Sequence, residues 1–297
     1  MLDFHYPEIA DKIWADRCLS VSQYMGCEYS FGNIFMWSFV FKTKIAYYKN
    51  CLITKGTGKN PSYCCPAGSA DFKTIINALM EDAEQCGHPF KMFGLSRDCA
   101  LMMEEQFPNQ FDFTPYRDGF DYIYLTNDLI NLEGKKYHSK RNHIAAFERS
   151  YKHSLEMISE KNIDECIKMN AAWVEENKDK DSESIAMEQK ALNRGFEHYF
   201  ELGFSGAIIR ADEKPVAFTI GERLNDITFC THFEKAFADV RGAYPIINRE
   251  FAKAALRGYK YVNREDDTGS DGLRKAKMSY YPAIIFEKYK VSRRGEI

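Results

Sequence analysis

The chain lacks several features that would settle its class at once. Its most apolar run, FGNIFMWSFVF at Phe31–Phe41, is far shorter than the ~20 residues a membrane-spanning helix needs. The opening segment MLDFHYPEIADK carries acids where a secretory leader needs bases, and it has no apolar centre. A soluble protein without a membrane anchor of its own is therefore expected. None of the nine cysteines forms a CxxC pair, Cys64 and Cys65 are adjacent and ill-suited to a structural disulfide, and no Cys/His spacing matches a zinc site. This predicts reduced thiols, a cytoplasmic location and no metal. An excess of one charge is missing too: 40 basic against 43 acidic side chains leave a net charge of -3. Nothing draws the whole molecule to nucleic acid or anionic lipid, so any polyanion site must be a local patch. No proline-rich, Gly/Ser-rich or low-complexity linker marks a boundary.

What is present is a chain of 297 residues, long enough for one large domain or two of about 150. Hydrophobic residues make up 45%, sufficient for a sizeable core. KIAYYKN and CLITKG read as a hairpin across Lys49-Asn50. DFKTIINALMEDAEQCG has Phe72, Ile75, Ile76 and Leu79 at helical spacing, with Gly87 at its end. A strand (FKMFGL), a helix (RDCALMMEEQF) and two strands (FDFTPY, DYIYLT) follow. After residue 153 the order recurs: helices, a three-stranded antiparallel run with turns at Asp212-Glu213 and Asn225-Asp226, the helix AYPIINREFAKAALRG, a strand (YKYVNRE), a short helix (GLRKAKMSYY) and a last strand (AIIFEKYKV). We therefore expect two halves, 1–133 and 134–297, with 134–153 as a basic connecting helix.

Charge is concentrated in two places. GKKYHSKRNHIAAFERSYKH gathers Lys136, Lys140, Arg141 and His143 beside an apolar stripe of Tyr137, Ile144, Phe147 and Tyr151. YVNREDDTGSDGLRKAKMSYYP crowds Glu265, Asp266 and Asp267 at a strand's carboxyl end, where ligands bind in open α/β sheets, and follows them with Gly269, Gly272, Arg274 and Lys277. Two readings stand: a binding or catalytic loop, or an internal salt-bridge knot of Arg264, Glu265 and Asp266 with Arg274 and Lys277. Asp271 is expected to cap the short helix, with Leu273, Ala276 and Tyr280 on its inner face. His232 and Glu234 share a side-chain direction, as an acid–base pair or as a polar pair on a solvated sheet face. Arg241 and Gly242 precede a helix whose free N–H groups could seat a pyrophosphate, or they mark an ordinary helix start. The aromatic stretch around Phe31 and Phe35 reads as core packing, with Ser30 and Asn33 as polar exceptions able to line a pocket.

Through EYSFGNIFMW, GKKYHSKRNHIAAF and above all YVNREDDTGSDGLRKAKMSYYP, the chain resembles a bacterial family related to the catalytic C-terminal domain of phosphatidylglycerol lysyltransferase. The resemblance implies an α+β fold: two tandem GNAT-like (acyl-CoA N-acyltransferase-like) domains with mixed, mostly antiparallel sheets flanked by helices. It also implies an acyl or aminoacyl transferase that takes its group from acyl-CoA or aminoacyl-tRNA and passes it to an amine or hydroxyl. On that reading Glu265, Asp266 or His232 takes the acceptor's proton and Tyr280 protonates the leaving group. Arg241, Gly242, Lys136, Lys140, Arg141, Arg274 and Lys277 hold phosphates, while Asn263, Arg264, Gly269 and Gly272 shape the loop. The reading from another class is a non-catalytic sensor of a phosphorylated ligand or RNA on a degenerate form of the fold. An amino acid transferase of cell-wall assembly would differ only in its acceptor.

Overall fold

The computed structural model describes residues 2–178 and 182–295. Its first part contains α1 (Lys12–Ser22), α2 (Phe31–Phe41), β1 (Thr43–Tyr48), β2 (Cys51–Gly56), β3 (Ser62–Tyr63), β4 (Ala67–Gly68), α3 (Phe72–Gln85), β5 (Lys91–Ser96), α4 (Arg97–Gln106), β6 (Phe111–Pro115) and β7 (Asp121–Leu125). There follow α5 (Thr126–Asn131), α6 (His138–Ser150), β8 (His153–Met157), α7 (Ile163–Glu176), α8 (Ser182–Glu197), α9 (Tyr199–Leu202), β9 (Ser205–Ala211), β10 (Lys214–Arg223), β11 (Thr228–Ala236), α10 (Ala243–Ala255), β12 (Tyr261–Asn263), α11 (Asp271–Met278), β13 (Ile284–Phe286) and β14 (Lys288–Arg293). The two tight turns lie where the sequence predicts them. Lys49-Asn50 (φ 48° and 62°) and Asp212-Glu213 (φ 48° and 70°) are left-handed at both central residues, the conformation that matches the twist of a hairpin.

The strands form two seven-stranded sheets. One runs β1-β2-β3-β5-β14-β6 with β4 beside β2; the other runs β13-β7-β12-β11-β10-β9-β8. Pairing is antiparallel except at β3–β5 and β11–β12. A cut at residue 134 does not follow these ladders. β7, which precedes it, lies in the second sheet between β12 and β13, and β14, at the far end of the chain, lies in the first between β5 and β6. The expected last strand AIIFEKYKV is thus two strands in different sheets, broken at Glu287.

Two apolar cores share the second sheet. Alternation along β9 sends Ile208 to one and Ala207 and Ile209 to the other. The first is continuous with the core of the other sheet through α2, whose Phe31, Ile34, Phe35 and Met36 are all buried, as the core reading expects. Each such large side chain contributes about 1.5–3 kcal/mol by leaving water. α10 covers the other face, packing Ile246, Ile247 and Phe251 against β9 and β10 and touching α5 and α6.

The basic segment becomes a short 3-10 turn at Lys135–Tyr137 followed by α6, and the predicted stripe residues Tyr137, Ile144 and Phe147 are buried. α6 also explains Gly242. That residue has φ +91°, and a Cβ there would lie 2.4 Å from the His143 carbonyl oxygen and 2.9 Å from the Phe147 Cβ. Glycine is needed for helix packing, and this replaces phosphate approach as its reason. Gly242→Ala should destabilise the protein by about 1–3 kcal/mol, read as a lower midpoint in urea; an unchanged midpoint would contradict this packing.

Candidate active site

β11 and β12 run parallel for three residue pairs, ending at Cys230 opposite Asn263. Just beyond that end, His232 and Glu265 meet: Nδ1 of the imidazole lies 2.7 Å from Oε1 of the carboxylate. The opposite ring nitrogen, Nε2, lies 2.9 Å from Oε1 of Glu222 on β10. A β-bulge makes this possible. Gly221 faces Thr231 and Ile220 faces Phe233, so His232 is the extra residue of β11. The imidazole is fully buried between its two carboxylates, and Glu265 is 19% exposed. Burial alone would push the His232 pKa down, but Cys230 and the hydrogen bonds to Glu222 and Glu265 outweigh it and hold the pKa well above 6.5. Both ring nitrogens then carry protons and donate, one to each carboxylate.

Glu265 is held by its backbone. Its φ is +57°, a left-handed conformation costly to a residue with a side chain. Its N–H donates to Oδ1 of Asn263 at 2.7 Å, its carbonyl accepts from the Tyr122 N–H, and Asn33 Nδ2 donates to Oε1 at 3.2 Å. Its second carboxylate oxygen has no hydrogen-bond partner among the described residues, which leaves it available to a substrate. Asp266, beside it, is half-buried and accepts from the Thr268 N–H. Burial, opposed by Lys288 and reinforced by Asp121 and Glu265, raises its carboxyl to about 6.

The rest of the loop is an internal network. Asp267 is fully buried and accepts from Arg274, Tyr122 and Arg117. Although burial opposes it, Arg274, Tyr122 and the Gly269 N–H pull its pKa down to about 2. Arg274 also closes on Asp118 at 2.8 Å. Lys277 donates to the backbone carbonyls of Arg264 and Asp266, and Arg264 pairs with Glu234 at 2.8 Å. The knot is therefore real, with partners other than those expected: it omits the side chains of Glu265 and Asp266. Gly269 has φ +80°, whereas a Cβ at Gly272 would meet only the Ser270 hydroxyl, at 4.0 Å. Ser270, not Asp271, caps α11 by accepting from the Leu273 N–H, because an N-cap must stand outside the helix and Asp271 is its first residue. Leu273 and Ala276 are exposed; of the three expected inner-face residues only Tyr280 is buried.

His232 and Glu234 are not a pair, nor is their face solvated: Glu234 takes Arg264 and Asn248, while His232 takes Glu222 and Glu265. The expected phosphate holders do not converge as a set. Lys136 pairs with Asp128, Arg141 donates to the carbonyls of Leu132 and Gly134, and Arg241 is exposed. Lys140 differs. It stands 3.9 Å above the Tyr280 ring, which Arg264 also approaches at 4.9 Å, and no carboxylate closes on it among the described residues. Burial and the neighbouring Arg264 lower its pKa to about 8. Tyr280 is 5% exposed, and its burial pushes its pKa up. Sequence reasoning missed Glu222, although a lone carboxylate ending the apolar strand VAFTIGER was a signal. It placed Asn33 only as a possible pocket residue, and it missed Lys288.

Among the described residues, two clusters bring metal-type donors within 4.8 Å of one another: Cys230, His232 and Glu265, and Cys27, Glu28 and Asp121. In the first, an ion would have to break the 2.7 Å hydrogen bond between His232 and Glu265. In the second, the Lys288 ammonium already stands among the donors, 2.7 Å from Asp121 and 3.4 Å from the Cys27 sulfur.

Two mostly antiparallel sheets flanked by helices, the second opened at a parallel strand pair, define an α+β protein. The chain belongs to the family described as phosphatidylglycerol lysyltransferase, C-terminal, which matches residues 20–292. A crystal structure of a conserved protein of unknown function from Bacteroides thetaiotaomicron VPI-5482 is 37% identical, with 99% of this chain and 100% of that one covered and a TM-score of 0.95. L-PGS from Bacillus licheniformis is 18% identical and shares the fold, with a TM-score of 0.64 over 89% of this chain and 88% of that one. Uncharacterized protein MYCGA3080 of Mycoplasmoides gallisepticum is 23% identical over 176 residues, 58% of this chain. The match spans 55% of that relative, so the chain accounts for about half its length. Among the described residues, no helix is long and apolar enough to cross a membrane.

The raised carboxyl of Asp266 has a measurable consequence. The stability it contributes is fully present below its ordinary pKa of 3.8 and is lost as pH rises through about 6. Asp266→Asn keeps an acceptor for Thr268 but cannot ionise. Urea unfolding should show the variant gaining stability relative to wild type between about pH 3.5 and about pH 7.5. A difference independent of pH would contradict the buried environment.

Proposed function

We propose that the chain transfers an acyl or aminoacyl group from a phosphate-bearing donor, acyl-CoA or aminoacyl-tRNA, directly to an amine or hydroxyl acceptor. The observation that carries this reading is the Glu222–His232–Glu265 set at the point where β11 and β12 part. A carboxylate with one free oxygen, backed by a buried imidazolium, suits a general base. Parted strands expose backbone N–H groups that suit a developing oxyanion. The acceptor attacks the donor carbonyl carbon and loses its proton to Glu265, with Asp266 as the neighbouring alternative. The tetrahedral species then collapses, and the departing oxygen or sulfur takes a proton from Tyr280. No covalent enzyme intermediate is required.

Lys140, over the Tyr280 ring that the Glu234-paired Arg264 also approaches, supplies positive charge for the donor's anionic portion. The other expected cations are engaged or open to solvent, so the anion seat on this reading is compact. A seat of that size fits a single anionic group, such as the phosphate nearest the aminoacylated 3′ end of a tRNA, better than it fits a long RNA backbone read by charge alone.

The test is turnover. Wild-type protein should consume acetyl-CoA or charged tRNA in the presence of an amine or hydroxyl acceptor. Glu265→Gln should then lower kcat by about 10²–10⁴. Saturable donor binding without turnover across acceptors would favour the sensor, and normal turnover in Glu265→Gln, Asp266→Asn and His232→Ala would overturn the assignment. Lys140→Met should raise the donor KM about tenfold with kcat little changed, the signature of lost uniform binding. An unchanged KM would remove Lys140 from the donor seat.

A further inference from the structure

We propose that Lys288, from the strand at the far end of the chain, is a positioning residue for Glu265, acting through Asp121 and Asn263. The role rests on the transferase reading above; the contacts do not. Lys288 is 1% exposed, and its ammonium lies 2.7 Å from Oδ1 of Asp121, which is fully buried. The other oxygen of Asp121 accepts from Asn263 Nδ2 at 2.8 Å and from the Cys27 N–H at 2.8 Å. Asn263, also fully buried, donates to the Met25 carbonyl at 2.8 Å and accepts from the Glu265 N–H at 2.7 Å. The series therefore runs ammonium, carboxylate, carboxamide, and the backbone of the residue that holds His232.

Each link fixes the next. Asp121 needs a cation, because a carboxylate without solvent is costly unless paired. Lys288 occupies one of its oxygens and leaves the other facing Asn263. That contact orients the carboxamide with its nitrogen toward Asp121 and its oxygen toward Glu265. The oxygen then captures the Glu265 N–H and retains the left-handed turn at φ +57°. The remaining charged groups around Lys288 do not replace it. Glu28 lies 2.5 Å from the ammonium, but burial raises its carboxyl to about 7, and one of its oxygens is buried without a partner among the described residues. Asp266 feels the ammonium's field from the loop after β12. Lys288 is on β14 in the first sheet, whereas Asp121 and Asn263 are on β7 and β12 in the second. The geometry of the site is thus set partly by the docking of the two sheets.

The test reads the His232 Nδ1–H proton, which hydrogen-bonded contact with Glu265 shifts downfield, by NMR on protein with ¹⁵N-labelled histidine. The variants are Lys288→Met, Asn263→Ala, and Lys288→Met combined with Asp121→Asn, the last leaving no unpaired carboxylate should the first fail to fold. In every folded variant the resonance should move or vanish, and kcat should fall about 10²-fold while KM stays within about twofold. Folded variants that retain both the wild-type resonance and the wild-type kcat would overturn the proposal. If wild-type protein turns over no donor, the transferase reading fails, and the resonance alone still decides whether Lys288 and Asn263 position Glu265.

Discussion

Lys288 and Asp121 form an ion pair where almost no solvent reaches. Removing two charges from water is costly, and mutual attraction offsets that cost only when the remaining donors and acceptors are also satisfied. Here Cys27, Glu28 and Asn263 supply those partners, and they come from elements remote in the chain. The pair therefore requires that β14 lie in the first sheet with its lysine turned toward β7 of the second. That crossing, more than any linker, is what joins the sheets. His232 repeats the device one layer away: a buried cation between two carboxylates, each with a further hydrogen-bond donor from α2.

The regular elements were legible because local rules suffice for them. Phe72, Ile75, Ile76 and Leu79 mark α3 by spacing alone, and the two left-handed turns are marked by Lys49-Asn50 and Asp212-Glu213. The break at Glu287 was not legible, since AIIFEKYKV reads as one apolar run and nothing local shows that its halves pair with different sheets. Within the site, Glu265 stood out as an acid at a strand end, and His232 only through its shared side-chain direction with Glu234. Their meeting depends on a bulge that displaces His232, and no single-strand pattern encodes a bulge. Asn33 and Glu222 are far from Glu265 in sequence, so no spacing rule could connect them.

The expectation about cations shows the same limit. Composition shows that Lys136, Lys140, Arg141, Arg274 and Lys277 are close in sequence or share a helix. It does not show that Arg141 donates to carbonyls of its own preceding turn, or that Asp267 and Asp118 engage Arg274. Burial separates the groups that stabilise the loop from those left for a ligand. Of these cations, Lys140 is the one that among the described residues meets neither a carboxylate nor a backbone carbonyl; it stands over the Tyr280 ring.

The most direct measurement is a crystal structure with a non-hydrolysable donor analogue bound, either an acyl-CoA or the aminoacylated 3′ end of a tRNA. The account predicts the analogue's carbonyl at the opening beyond Cys230 and Asn263, within hydrogen-bonding reach of an acceptor held by the free oxygen of Glu265, and its anionic portion beside Lys140. An analogue bound elsewhere, with Glu265 remote from its carbonyl, would contradict it.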